Sequence, residues 1–327
     1  MLAILAPGQG AQAPGQLQPW LELDGAAARL RWWSAAAGLD LVEAGTESDA
    51  ETIRDTAVAQ PLIVAAGLLA AEVLGLDLAA PGPTQSAVIL AGHSVGEITV
   101  SVLAGILSPE AGVTFTAARG RAMAAAAALE PTGMSAVLGG DPDQVVAYLE
   151  AAGLTAANRN GAGQIVAAGP LGALAELAEK RPPKARVVPL SVAGAFHTHY
   201  MTPGRDALAA IAPGLRPGRP TVGLLSNADG TILTSGDEAI RRLVNQVASP
   251  VRWDLCLAAL RNAGVTGVLE LPPAGTLAGI ARRELKEADI VALKTPDDLP
   301  AARDLIATHT GAVVVPTQVG DLTQVSR

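Results

Sequence analysis

The chain has 327 residues, half of them hydrophobic and 17% charged, with a formal net charge of −8 and a mean hydropathy of +0.34. That length holds one large domain or a large domain carrying a smaller one, and an acidic balance without any basic tract excludes a nucleic-acid footprint and argues against a membrane surface. The one cysteine, Cys256, permits neither an internal disulfide nor a thiolate metal cluster and reads as a small buried hydrophobe.

Residues 2–6 (LAILA) read as a buried strand in an apolar stretch too short, and too poor in basic residues, for an export signal, so the cytoplasm is the expected location. No run of ~18 residues lacks a polar or helix-breaking residue, so no transmembrane segment is expected. Helical patterning covers roughly 57–75, the loop AAPGPTQS (79–86) feeds a second strand at 86–92, and helical stretches follow at 96–106 and 110–129. This alternation predicts a mainly parallel α/β sheet. From Thr132 the rhythm changes. A strand at 133–140, an Asp-capped helix DPDQVVAYLEAAG, a hairpin of LTAANRN and GQIVAAG turning at Asn160-Gly161, a helix PLGALAELAEK and a strand at 185–194 succeed one another. That βαββαβ order is ferredoxin-like and closes on itself, which predicts an inserted subdomain over 130–194 within a large α/β domain made of 1–129 and 195–302. The resumed part reads as a strand at 221–227, helices near 237–247 and 253–264, a strand at 267–273 and a helix at 275–287. Residues 303–327 read as a strand plus a frayed C-terminal tail without chemistry.

Gly92-His93-Ser94-Val95-Gly96 matches G-x-S-x-G between a strand and a helix, the context a nucleophile elbow requires. The two glycines let a sharp turn pack without Cβ clashes, which thrusts Ser94 out at the strand end and leaves the Val95 backbone N–H as an oxyanion donor. An ordinary glycine-rich turn is the competing reading. A serine nucleophile needs a base. Of the four histidines, His93 sits inside the elbow and reads as a structural hydrogen-bonder, and His309 lies in the tail. That leaves GAFHTHYM, where His197 is the candidate base and His199 reads as solvent-exposed; no carboxylate or thiol cluster accompanies them, so no metal is expected. Gly8-x-Gly10-x-x-Ala13 formally fits a dinucleotide fingerprint, although Pro14 and Gly15 come too soon for a clean helix. Alternatively this loop ends its strand beside the elbow and offers the Gln9 backbone N–H as a second oxyanion donor. Arg119, with Met123 on the same helix face, is either half of a structural ion pair or a fork that grips a substrate carboxylate.

PGQGAQ (7–12), GHSVGE (92–97), Arg119 in AARGRAM, GAFH (194–197) and NQVASPVRW (245–253), in one order over roughly 2–290, together resemble the malonyl-CoA:acyl carrier protein transacylase family of fatty acid and polyketide synthesis, in its actinobacterial type. The resemblance implies a hydrolase-like α/β domain with a ferredoxin-like insert. It implies transfer of malonyl from malonyl-CoA to the phosphopantetheine thiol of an acyl carrier protein through a malonyl-serine. Matched residue by residue, Ser94 is the nucleophile, His197 its base, Arg119 the partner of the malonyl carboxylate, and Gln9 and Val95 the oxyanion-hole donors. Gln246 accepts a hydrogen bond from the histidine through its main-chain carbonyl. The family's dyad leaves Asp206 and Asp229 without a catalytic role, and Phe196 before the base goes with malonyl over methylmalonyl selection. Malonyl-CoA is then a substrate, no permanently bound cofactor is expected, the carrier protein is the partner, and a monomer is expected. Arg181, Lys184 and Arg186 on the insert are candidate carrier contacts. Ala11 departs from the family, standing where many members have Ser. A thioesterase or esterase on the same elbow is the alternative, and it gives Arg119 no task.

Overall fold

The first strand sends Leu2, Ile4 and Ala6 into one core and Ala3 and Leu5 into another, all fully buried. Apolar residues on both faces are what a parallel sheet covered by helices on both sides demands. The computed structural model describes residues 1–78 and 83–311. Its strands in chain order are β1 (Leu2–Ala6), β2 (Val88–Gly92), β3 (Thr132–Gly139), β4 (Thr155–Gly161), β5 (Gln164–Pro170), β6 (Ala185–Leu190), β7 (Gly223–Leu224), β8 (Val251–Arg252), β9 (Gly267–Glu270) and β10 (Asp289–Ala292). Among the described residues they form a parallel sheet in the order β10-β9-β1-β2-β7 and a mixed sheet in the order β6-β3-β5-β4-β8.

Helices Ala26–Ala37, Thr56–Leu74, Gly96–Leu103 and Pro109–Ala127 contribute to the core on one side of the parallel sheet, and Trp253–Asn262 and Thr276–Glu284 to the core on the other. By length and composition Thr56–Leu74 could cross a bilayer, but 83% of its apolar window is buried inside the protein. The insert builds its own small core from Val137, Val145, Leu149, Ile165 and Leu177 beneath helices Pro142–Ala151 and Leu171–Glu179. It is not a free flap. The two-residue strand β8 comes from the large domain and adds in parallel to β4, with Asn158 opposite Val251.

Three expectations need correcting. The hairpin turns at Ala162 and Gly163, with φ of +49° and +70°, not at Asn160-Gly161; Gly161 already pairs with Gln164. Tertiary contacts decide it: the Asn160 side chain is taken by His93, and the Ala162 N–H by the Glu284 carboxylate. Residues 303–310 are helical where a strand and tail are expected: Leu299–Thr310 is a helix whose Leu299, Ala302, Leu305 and Ile306 are buried at helical spacing, with His309 held by Thr266 and Asp289. No helix opens behind Gly10, where turns run to a 3-10 segment at Gln18–Glu22, so the dinucleotide fingerprint lacks its helix. Residues 79–82 of the predicted loop and 312–327 of the predicted tail lie outside the described residues. The edge strand β10 went unread because Asp289–Ala292 is short and only partly buried.

The elbow is a steric construction. Ser94 adopts φ +52°, a Cβ on Gly92 would stand 2.1 Å from the Gly96 carbonyl carbon, and one on Gly96 would stand 2.2 Å from the Ala6 oxygen. Those contacts are backbone against backbone, so nothing flexible can give way. Gly96→Ala is expected to cost about 2–4 kcal/mol of stability or to prevent folding, read by chemical denaturation. A wild-type midpoint would show that the turn tolerates the methyl group.

Candidate active site

Strands β1 and β2 end together, Ala6 opposite Gly92, so the loops that leave them share the carboxyl edge of the sheet, where an open α/β sheet carries its sites. The Ser94 hydroxyl lies 2.8 Å from His197 Nε2, and His197 Nδ1 lies 2.8 Å from the Gln246 main-chain carbonyl. A carbonyl only accepts, so Nδ1 carries the proton and the Nε2 lone pair faces the hydroxyl. His197 holds this pose at φ +62°, its own N–H donating to the Val247 carbonyl. The Ser94 N–H donates to Asn227 Oδ1 at 2.8 Å, while Asn227 Nδ2 donates to the Gly92 carbonyl at 2.6 Å. One side chain thus ties both limbs of the elbow.

Arg119 comes up beneath this pair from the alanine-rich helix, 1% exposed. Nη1 donates to Gln60 Oε1 at 2.7 Å, and Nη2 to Gln246 Oε1 at 2.9 Å and to Ser94 Oγ at 3.2 Å. No carboxylate is within ion-pair distance of the guanidinium among the described residues, and its Nε has no acceptor. A buried cation with only neutral direct partners is costly unless an anion arrives. Gln246 Nε2 in turn donates to Glu97, a buried carboxyl that also accepts from the Asn227 N–H.

Burial, helped by the Arg119 charge, lowers the His197 imidazole to about 3. Burial likewise lowers Arg119 to about 10 and raises Glu97 to about 8, against the Asn227 N–H and the Arg119 charge. Both Glu97 oxygens accept from N–H donors, which is the hydrogen-bond pattern of the ionised form.

Ser94, Val95, His197, Gln9 and Phe196 line one cleft of about 470 Å³ between the large domain and the insert. Neither the Gln9 nor the Val95 backbone N–H meets a protein acceptor among the described residues. The Gln9 side chain is turned to the Arg54 carbonyl. A more open groove of about 740 Å³ between Thr202–Ile211 and Gly236–Gln246 is lined by Asp237, Arg216 and Arg241 but by no serine, cysteine or histidine. His93 hydrogen-bonds Asn160 at 2.9 Å and stacks edge-on against Trp253, His199 is exposed beside Tyr200, and Cys256 is buried against Asn227. Asp206 and Asp229 pair with Arg205 and Arg242 away from the cleft. Arg181, Lys184 and Arg186 are exposed. Sequence reasoning missed Gln60, Glu97 and Asn227. Each had a signal: Gln60 and Glu97 are polar residues in apolar helical stretches, and Asn227 ends a predicted strand at the sheet edge that carries the elbow.

A family model described as acyl transferase domain matches residues 5–312. The malonyl CoA-acyl carrier protein transacylase of Mycobacterium tuberculosis is 54% identical over 305 residues, covering 93% of this chain and 100% of that protein. The crystal structure of the Mycobacterium tuberculosis protein superposes with a TM-score of 0.87 over 92% of this chain and 99% of the other. A malonyl-transacylase solved in complex with its type II PKS acyl-carrier protein superposes with a TM-score of 0.84 at 26% identity, covering 92% of this chain and 98% of the other.

An imidazole lowered from 6.5 to about 3 stays neutral in the folded chain while the unfolded chain binds a proton near 6.5. Its contribution to stability is therefore complete above that value and is lost progressively as the pH falls toward 3. Nitrogen-15 NMR of labelled histidine at pH 5 is expected to show His197 as the neutral Nδ1–H tautomer. A His197 that protonates near the ordinary value would contradict the buried pose.

Proposed function

The chain belongs to the acyl transferase domain family, and we propose on that premise that it transfers malonyl from malonyl-CoA to the phosphopantetheine thiol of an acyl carrier protein. The observation that carries this reading is Arg119, a buried guanidinium without a direct acidic partner that touches the nucleophile itself. It asks for an acyl group bearing a carboxylate, as malonyl does.

His197 Nε2 takes the hydroxyl proton as Ser94 Oγ attacks the thioester carbon, and the Gln9 and Val95 N–H groups hold the oxyanion. The tetrahedral species collapses, the C–S bond breaks, and the proton on His197 passes to the departing CoA thiolate. The carrier's thiol then gives its proton to His197 and attacks the malonyl-serine carbonyl. As the ester C–O bond breaks, Ser94 takes that proton back. Gln246, rather than an aspartate, orients the imidazole. The malonyl carboxylate offsets the Arg119 charge that helps to keep His197 unprotonated, so the base strengthens when the proper substrate is seated. Phe196, buried at the cleft beside the base, fills the space that an α-methyl group needs.

The cycle consumes malonyl-CoA as a substrate and calls on no resident cofactor or metal. In this reading the protein acts as a cytoplasmic monomer, and the exposed Arg181, Lys184 and Arg186 meet an acidic carrier. Mass spectrometry of a holo carrier mixed with the enzyme and malonyl-CoA is expected to show malonyl on the carrier, and none with Ser94→Ala. Free malonate beside an unmodified carrier would make the protein a thioesterase. Arg119→Ala is expected to lose ~10²-fold or more in kcat/KM with malonyl-CoA and little with acetyl-CoA. Equal losses would reduce Arg119 to a structural role.

A further inference from the structure

Glu97 is a buried carboxyl that the proposed cycle leaves without a task. It stands three residues after the nucleophile in the first turn of Gly96–Leu103, 5% exposed. No Lys or Arg is within ion-pair distance of it among the described residues. Arg242, which shares a cavity of about 250 Å³ with it, is taken by Asp229 and Glu238. Its carboxyl group therefore meets the protein through two N–H donors, Asn227 N at 2.5 Å and Gln246 Nε2.

Both donors lead to the reacting groups. A guanidinium has only donors, so Gln246 must turn Oε1 toward Arg119, at 2.9 Å, and its NH₂ toward Glu97. The amide is fixed from both ends. Asn227, the other donor, holds the Ser94 N–H. A carboxylate is the one side chain that accepts at both places without offering a proton to either.

We propose that Glu97 is the positioning residue for Arg119: through the Gln246 amide it forms a carboxylate–amide–guanidinium chain that keeps the guanidinium turned to the carboxylate of the acyl group. The inference rests on the reading that Arg119 receives that carboxylate. In Glu97→Gln one face of the new amide must present N–H to an N–H donor, Asn227 N or Gln246 Nε2; where it faces Gln246, that amide loses its fixed orientation and Arg119 its fixed acceptor.

The test is the ratio of Ser94 acylation rates with malonyl-CoA and acetyl-CoA, both measured on one preparation of the full chain, so that any loss of folded protein cancels. Glu97→Gln is expected to lower the ratio about tenfold, the size of one charge-assisted hydrogen bond, mainly through a higher KM for malonyl-CoA. Glu97→Asp, which keeps the charge, is expected to recover part of it. Loosening of the elbow through Asn227 would slow both substrates and leave the ratio alone. If Glu97→Gln does not fold, Gln246→Leu breaks the same chain and is expected to lower the ratio likewise. An unchanged ratio in the folded variant, while Arg119→Ala collapses it, overturns the role given to Glu97. An unchanged ratio in Arg119→Ala overturns the underlying reading of the arginine instead.

Discussion

A guanidinium buried without a carboxylate at contact distance is the constraint on which the rest of this site turns. Gln60, Gln246 and Ser94 satisfy part of its hydrogen bonding, but none supplies charge. The nearest compensation is Glu97, one amide removed. Such a group is expensive to keep out of water, and the fold keeps it there with two long helices, Thr56–Leu74 and Pro109–Ala127, packed around it. In the proposed reading an incoming carboxylate removes the imbalance, which would link the cost of folding to the choice of substrate.

The proposed nucleophile and base are held by backbone more than by side chains. Ser94 and His197 both sit at positive φ, and the base is oriented by a main-chain carbonyl. Strain at non-glycine residues persists only where the surroundings over-determine it. Here the Asn227 clasp, the Gly92 and Gly96 contacts and the Val247 carbonyl do so. Pairing between β8 and β4 further ties the insert to the large domain beside the cleft. The geometry is thus set before any ligand enters, as electrostatic stabilisation of an oxyanion requires.

Much of this was legible in the chain because it rests on local rules. Gly92-x-Ser94-x-Gly96 between an apolar run and an amphipathic one is a steric statement about a turn, and Arg119 amid alanines announces a cation in a buried helix. The βαββαβ rhythm likewise survives translation into β3–β6 and their two helices. What could not be read locally depends on partners far along the chain. Asn160 was free to form a turn until His93, 67 residues away in sequence, claimed its side chain. Asn227 and Gln246 are ordinary polar residues until folding brings them within 3.4 Å of each other beneath the elbow. The C-terminal helix misled because its buried Leu305 and Ile306 are too few, beside the apolar run that follows, to mark a helical face.

The most direct test of the account is the structure of the malonyl-enzyme itself, trapped with malonyl-CoA in the absence of carrier. The account predicts an ester on Ser94 whose carboxylate lies against the Arg119 guanidinium and whose carbonyl oxygen meets the Gln9 and Val95 N–H groups. A carboxylate pointing into solvent, with Arg119 still closed on Gln60, Gln246 and Ser94, would contradict it.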